Sequence, residues 1–361
     1  MTGRNGTGGV RYELDDKPAT GATMPVAPGI LWLRMPLPFT LGHINLWLLA
    51  DDGGWTIVDS GVHTDVSKGV WEDVFASAMQ GRPATRVIAT HLHPDHVGCT
   101  GWLATRFGVD VWMTRAEYLL CRVLVADTGR RAPETGTRFY HAAGFPPHAM
   151  ERYERMFGMF GRYVAPLPES YRRLKDGDEL RIGRHCWRVI VGSGHSPEHA
   201  CLYCPELGVL ISGDQLLPTI SSNVSVYPTE PAANPLAEWL ESLDRLKREV
   251  PEDVLVLPAH GKPFRGAHER LDELVAGHRA GLERLERLCR RPIRAVDAFD
   301  ALFSSKIDDN NLIMATGESI AHLNYLLEEG RIEAETDENG VTWYRRRERR
   351  PAAGKAADTP C

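Results

Sequence analysis

Residues 90–96 read Thr-His-Leu-His-Pro-Asp-His, which places three imidazoles (His91, His93, His96) and one carboxylate (Asp95) within six positions. Imidazole and carboxylate together suit Zn, Fe or Mn better than Ca or Mg, so this crowding of ligand types points to a transition-metal site. The segment follows the apolar run Val87-Ile88-Ala89. Side chains two apart in an extended chain point the same way, so His91 and His93 can grip one ion. Pro94 discourages a regular strand. As the chain turns toward the helix-like residues 97–107, Asp95 and His96 become able to address a second ion. A histidine-rich surface turn is the bland alternative for an isolated H-x-H, but four ligands this close together speak against it.

The rest of the chain supplies further ligands in matching contexts. His195 follows the strand-like residues 187–191, Asp214 follows the apolar run 208–211, and His260 closes the apolar run 254–257. His195 completes a three-histidine set for the first ion, and Asp214 can bridge two ions. Asp59, in Trp55-Thr-Ile-Val-Asp-Ser-Gly61, sits at another strand-like end, where a carboxylate can orient a ligand imidazole from behind. His199 lies four residues after His195. With seven ligand positions already filled, it is assigned to support behind the ligands or to packing. His43 is a further histidine near the site, read as a satisfied core group.

On these residues the chain resembles the metallo-β-lactamase superfamily, whose pattern is an H-x-H-x-D-H loop followed by separate His, Asp and His ligands. The resemblance spans roughly residues 25–265. It implies His91, His93 and His195 on one metal, Asp95, His96 and His260 on the other, and Asp214 between them, with Asp59 matching the early strand-end aspartate. It also implies an α/β fold, an αββα sandwich of two mixed sheets flanked by helices. The alternation of strand-like and helix-like segments is compatible with such layers. Two departures stand out. Glu198 replaces the usual Gly after His195, which alters the turn there. His93 stands where redox di-iron relatives carry Glu, which argues against electron transfer.

The ligands themselves dictate the expected chemistry. Metal-bound water has a pKa of about 7 rather than 15.7, so a hydroxide bridging two ions would be a ready nucleophile, while a metal polarises the scissile carbonyl or phosphoryl oxygen. Asp95 is placed to accept or relay a proton, so it is the expected catalytic side chain. The expected cofactors are two divalent metal ions, Zn2+ first, with Fe or Mn as alternatives. A mononuclear iron dioxygenase acting on sulfur compounds would use a subset of the same ligands.

Composition bounds the surroundings. The 361 residues, 43% of them hydrophobic, suffice for a large core, and a net charge of −6 does not describe a protein built to coat nucleic acid. Residues 1–23 lack the apolar core of a signal peptide, and no run of 18 apolar residues occurs. A cytoplasmic location without a membrane partner is therefore expected. The seven scattered cysteines read as reduced. Cys201 and Cys204 have C-x-x-C spacing but lie in a strand-like segment, where positions three apart face opposite sides.

Between His96 and His195 lie 98 residues, and residues 115–175 read as an insert. Residues 116–125 and 148–160 look helical, the second placing Met150, Tyr153, Phe157 and Phe160 on one stripe. That stripe packs on the main fold, forms a cap over the metals in which Tyr153 and Phe157 contact an acyl group, or does both. The insert carries eleven Lys or Arg against six Asp or Glu. An anionic substrate would suit that balance, and Lys262, two after His260, is the basic residue nearest the site.

After residue 265 the character changes. Residues 266–290, 293–303 and 317–329 read as helices, and Asn339-Gly340 marks a hairpin within residues 331–344. Three helices and a hairpin resemble the winged-helix module of some superfamily members. That module suggests nucleic acid by analogy only. Residues 279–344 carry eight Lys or Arg against thirteen Asp or Glu, so phosphate would be repelled. The expected organisation is a flexible tail at 1–23, a catalytic domain at 24–265, a winged-helix-like domain at 266–345 and a disordered tail at 346–361. The expected activity is thioester hydrolysis of the glyoxalase-II-like or acyl-thioesterase-like kind on a small acyl substrate. Lactone or carboxylic-ester hydrolysis is the alternative, endoribonuclease action the alternative of another class, and a homodimer is left open.

Overall fold

A computed structural model of the chain describes residues 9–38 and 41–347. Seven strands form the first sheet in the order β1 (Thr23–Ala27), β2 (Ile30–Pro36), β3 (His43–Asp51), β4 (Gly54–Val58), β5 (Ala84–Ile88), β6 (Val111–Met113) and β7 (Arg172–Arg173). Pairing is antiparallel from β1 to β4 and parallel from β4 to β7. The second sheet contains β8 (Glu179–Ile182), β9 (His185–Gly192), β10 (His199–Cys204), β11 (Val209–Gly213) and β12 (Leu255–Pro258), with β11 and β12 parallel and the rest antiparallel. The hairpin β13 (Ile332–Thr336) and β14 (Thr342–Arg346) stands apart.

The helices are α1 (Asp65–Ala76), α2 (Pro94–Val97), α3 (Thr100–Phe107), α4 (Arg115–Ala126), α5 (Glu134–Ala142), α6 (Pro147–Met156), α7 (Pro235–Glu249), α8 (Ala267–Leu288), α9 (Phe299–Leu302) and α10 (Leu312–Glu328).

Side-chain alternation makes the layers. On β3, Trp47 and Leu49 point into the space between the sheets, where they meet Trp187, Val189 and Leu202. Ile44, Leu46 and Leu48 point the other way, onto Trp71, Val74 and Leu103 of α1 and α3. On the far side Ile190, Cys201 and Leu210 meet Trp239, Leu243 and Leu271 of α7 and α8. Both faces of both sheets are thus covered, which is why the central strands read as nearly unbroken apolar runs. The result is the expected αββα sandwich. Cys201 and Cys204 lie on opposite faces of β10, and the six described cysteines are free. Among the described residues no helix is long and apolar enough to cross a membrane.

Several local expectations need correction, among them the helix at 293–303, which is only a 3-10 turn at Ala295–Ala298 and the short α9, and the helix at 317–329, which starts at Leu312. The helix-like stretch 97–107 is two helices: Pro94 opens α2 and the chain breaks at Gly98 before α3. A Cβ at Gly98 would lie 2.5 Å from the Gly61 carbonyl oxygen, so the close approach of these two backbones forces the break. In the insert, α6 stops at Met156 because Gly158 takes φ +72, and Phe160 leaves the Tyr153 stripe to pack with Tyr118 and Cys121 of α4. Helix α5 forms where the sequence pattern shows no helix. The readings for residues 1–8 and 348–361 fall outside the described residues.

Candidate metal centre

The C-terminal ends of β4, β5, β9, β11 and β12 lie at one edge of the sandwich, because β4 runs parallel to β5 and β9 runs in the same direction as β11 and β12. Each end delivers one of the residues read from the sequence: Asp59, the 91–96 cluster, His195, Asp214 and His260. Ligand atoms of His91, His93, His195 and Asp214 form one group within 4.8 Å of one another, and those of Asp95, His96 and His260 form a second. His91 Nε2 lies 2.9 Å from His93 Nδ1, and His195 Nε2 lies 3.3 Å from Asp214 Oδ2. Asp214 also reaches the second group, with Oδ2 at 3.5 Å from His96 Nε2 and Oδ1 at 3.6 Å from His260 Nε2. Asp95 Oδ2 is 3.3 Å from His260 Nε2. All seven expected ligands are brought together, in the two sets that the resemblance implied.

Backbone and buried polar side chains hold these groups in place. Asp59 sits at φ +59, a conformation Asp tolerates better than most side chains, and it aims both oxygens at the cluster. Oδ1 accepts from the Thr90 N–H at 2.7 Å; Oδ2 accepts from the Thr90 hydroxyl and contacts His96 Nδ1 at 2.8 Å. A carboxylate behind a ligand imidazole fixes its tautomer and raises its basicity. His260 Nδ1 meets the His43 carbonyl at 3.1 Å, and His195 Nδ1 meets the Asn223 carbonyl at 2.7 Å, so these rings too have their rear nitrogens engaged. His43 therefore acts through its backbone while its ring contacts Arg34. His199 is buried, and its Nε2 accepts from the Asp214 N–H at 3.1 Å.

Three positioning residues escaped sequence reasoning. Asn45 is fully buried. Its amide donates to the Pro258 and Gly261 carbonyls, both at 2.8 Å, while Trp32 donates to its oxygen, so it ties the His260 loop to the first sheet. Glu117 of α4, also fully buried, accepts from Leu92 N at 2.9 Å and Glu198 N at 2.8 Å, joining the 91–96 cluster to the His195 turn. Asn223 is the third. Polar type alone was their only sequence signal, since the partners that give each its role are remote in the chain. The Glu198 departure has a use as well: its carboxylate caps the start of α4 at Ala116 N, 2.8 Å away.

Electrostatics favour a cation here. Burial works against a charged His96, yet Asp59, Asp214 and Asp95 together raise its pKa well above the usual value. His260 is raised too, against its burial, by Asp214 and Asp95. Burial, together with the neighbouring histidines, drives His91 well below the ordinary value. Burial also takes His93 down to about 3, with His195 adding to the effect. One part of the site thus attracts positive charge while the other keeps imidazoles neutral, the form that binds metal. Among the described residues, buried His96 Nε2, His195 Nε2 and Asp214 Oδ1 have no hydrogen-bond partner. Such orphans are uncommon, and metal ions held by these side chains would satisfy all three. The side chains therefore fit a binuclear divalent-metal site.

The expected substrate contacts lie elsewhere. Lys262 Nζ donates to the backbone oxygens of Asp15, at 2.7 Å, and Leu14, which tethers the N-terminal segment. Tyr153 is packed with Tyr140, Phe145 and Ala149, with Phe157 at the edge of the cluster alongside Val296, Leu312 and Ile313. The α6 stripe thus packs on α5 and on the C-terminal residues Val296, Leu312 and Ile313 rather than on the sandwich. Several insert arginines form exposed ion pairs: Arg130 with Asp127, Arg138 with Glu134, Arg155 with Glu151.

Comparison with known proteins agrees with this geometry. Residues 39–260 match the metallo-beta-lactamase superfamily, and residues 282–347 match the metallo-beta-lactamase-like C-terminal domain. A solved beta-lactamase domain protein from Burkholderia ambifaria is 42% identical, with 94% of this chain and 98% of that one covered and a TM-score of 0.86. A metallo-beta-lactamase family protein from Thermus thermophilus is 30% identical over 89% of this chain and 99% of its own, with a TM-score of 0.75. An uncharacterized protein of Aquifex aeolicus is 28% identical over 53% of this chain and 74% of its own length. Members of the superfamily are typically metal-dependent hydrolases. With residues 39–260 matched by the family and a 42% identical structure covering 94% of it, this chain belongs to the metallo-β-lactamase superfamily.

Proposed function

We propose that the chain is a binuclear metal-dependent hydrolase that cleaves an acyl thioester, of the glyoxalase-II-like or acyl-thioesterase-like kind. The observation carrying the hydrolytic part is Asp214, whose two oxygens approach ligands of both sets. His91, His93 and His195 would hold one divalent ion, Asp95, His96 and His260 the other, and Asp214 both. Zinc is the expected metal. Bound there, such ions supply acidity to water and polarise a carbonyl oxygen. The chain's own contribution is orientation. Rear contacts to Asp59, the His43 carbonyl and the Asn223 carbonyl direct three imidazoles, and Asp95 offers a carboxylate oxygen to take and pass a proton. The thioester assignment rests on family analogy and on the positive balance of residues 115–175, which suits an anionic acyl carrier. Cytoplasmic residence and a winged-helix-like nature for the C-terminal helices and hairpin belong to the same proposal.

The test is a hydrolysis screen of the metal-loaded protein against acyl thioesters, lactones and RNA side by side. Thioester turnover that Asp95→Ala and Asp214→Ala each reduce by at least about a hundredfold is the expected result. Activity confined to lactones would move the reading to the alternative ester class. Cleavage of RNA alone would overturn it.

A further inference from the structure

A second cluster of metal-ligating side chains lies outside the binuclear centre, where α8 meets α10. His278 of α8 and His322 of α10 are buried at 6% and 2% exposure, and Glu318 lies four residues before His322 on the same helix face. One ligand atom from each falls within 4.8 Å of the others. His278 Nδ1 and His322 Nε2 are 3.3 Å apart, close to the roughly 3.4 Å that separates two ligands on a tetrahedral ion with bonds of about 2.0–2.1 Å.

The outer contacts of all three groups are those of oriented ligands. His322 Nδ1 is 2.8 Å from the Glu318 carbonyl, so that nitrogen carries the proton and Nε2 presents a lone pair inward. His278 Nε2 is 3.3 Å from the Ser221 hydroxyl, leaving Nδ1 inward. The Asn223 amide donates to Glu318 Oε2 at 2.7 Å, leaving Oε1 for another partner. Metal-binding histidines nearly always have the remote nitrogen engaged by a carbonyl or similar group, and here both do. Burial also holds both rings neutral, taking His278 down to about 3 and His322 to about 4, while it pushes the Glu318 carboxyl up to about 7.

We propose that His278, Glu318 and His322 form a third metal site, of the two-histidine, one-carboxylate type, for a divalent transition ion such as Zn2+, Fe2+ or Mn2+. An ion there would pin α8 to α10 and, through Glu318 and Asn223, bear on the carbonyl that holds His195 Nδ1. Its remaining coordination positions would be filled by water.

Metal content settles the matter. After loading with Zn2+ and gel filtration, elemental analysis of the full chain should give about three equivalents for wild type and about two for His278→Gln and for His322→Gln. Glu318→Gln keeps the volume and an oxygen for Asn223, so it guards against variants that fail to fold. It is expected to weaken the third equivalent by at least about tenfold in a Zn2+ titration while leaving two tight. Asp214→Ala attacks the binuclear reading separately, and in that background His278→Gln should still remove one equivalent. If all three cluster variants bind as much metal as wild type, the histidines are only a hydrogen-bonded neutral pair and the proposal falls, with the binuclear reading untouched.

Discussion

At the scale of single residues, the site is a set of ligands plus the polar groups that aim them, and Asp59 is the clearest of the latter. It holds the Thr90 backbone and the His96 ring from a left-handed backbone position. Asp59→Asn keeps a side chain that tolerates that backbone but replaces a carboxylate with an amide behind His96. Metal affinity should fall by about 10–100-fold, with a smaller loss of turnover once metal is saturating. Competition with a chromophoric chelator measures the first and steady-state kinetics the second; unchanged affinity would show that Asp59 serves the fold alone. The ligands were legible in the sequence because each combines a ligand-forming type with the end of an apolar run. Asn45, Glu117 and Asn223 were not, because an amide or carboxylate discloses its partner only once the strands across the fold are in place.

At the scale of elements, the strands were legible because burial on both faces leaves continuous apolar runs, whereas α5 was missed because it lies in a short polar segment around adjacent Phe139 and Tyr140. What joins the two sheets at the edge of the sandwich was equally hidden. Asp51, at the end of β3, accepts from Thr56 and Thr85 and from the Asp52 N–H, pairs with Arg86, and reaches across to the Gly183 N–H between β8 and β9. Burial opposes its ionisation, but the hydrogen bonds from Thr85, Gly183, Thr56 and Asp52 outweigh it and bring its pKa from 3.8 to about 2. A carboxylate depressed in this way stabilises the folded state fully above the unfolded value, and the contribution is lost as pH falls through the folded one. Asp51→Asn should therefore cost roughly 1–2 kcal/mol at neutral pH, after allowance for solvent screening, and the gap to wild type should close between about pH 4 and pH 2. Urea unfolding across that range tests it, and a gap independent of pH would remove the charge from the account.

At the scale of the whole molecule, the C-terminal helices are part of the wall behind the metal centre. Residues 222–226, which carry the carbonyl facing His195, lie against α10: Val226 N donates to Gly317 O at 3.1 Å, and Ser225 donates to Met314 O at 3.1 Å. The contact is close because residue 317 lacks a side chain. A Cβ there would lie 2.8 Å from Ser225 Cβ and 2.9 Å from the Val226 oxygen, neither of which is the end of a flexible side chain. Gly317→Ala gains helix propensity but must push α10 off this segment, so it should destabilise by about 1–3 kcal/mol. Because the displaced segment includes Asn223, metal affinity at the His195 position should fall with it. Gly277→Ala is the matched control, since a Cβ on that α8 residue meets nothing within 4 Å. It should be neutral or stabilise by up to about 1 kcal/mol and leave metal binding unchanged. Unfolding midpoints and chelator competition on the two variants separate the outcomes. If Gly317→Ala is as stable as Gly277→Ala and binds metal as wild type does, the C-terminal helices do not brace the centre, and His195 is held by the sandwich alone.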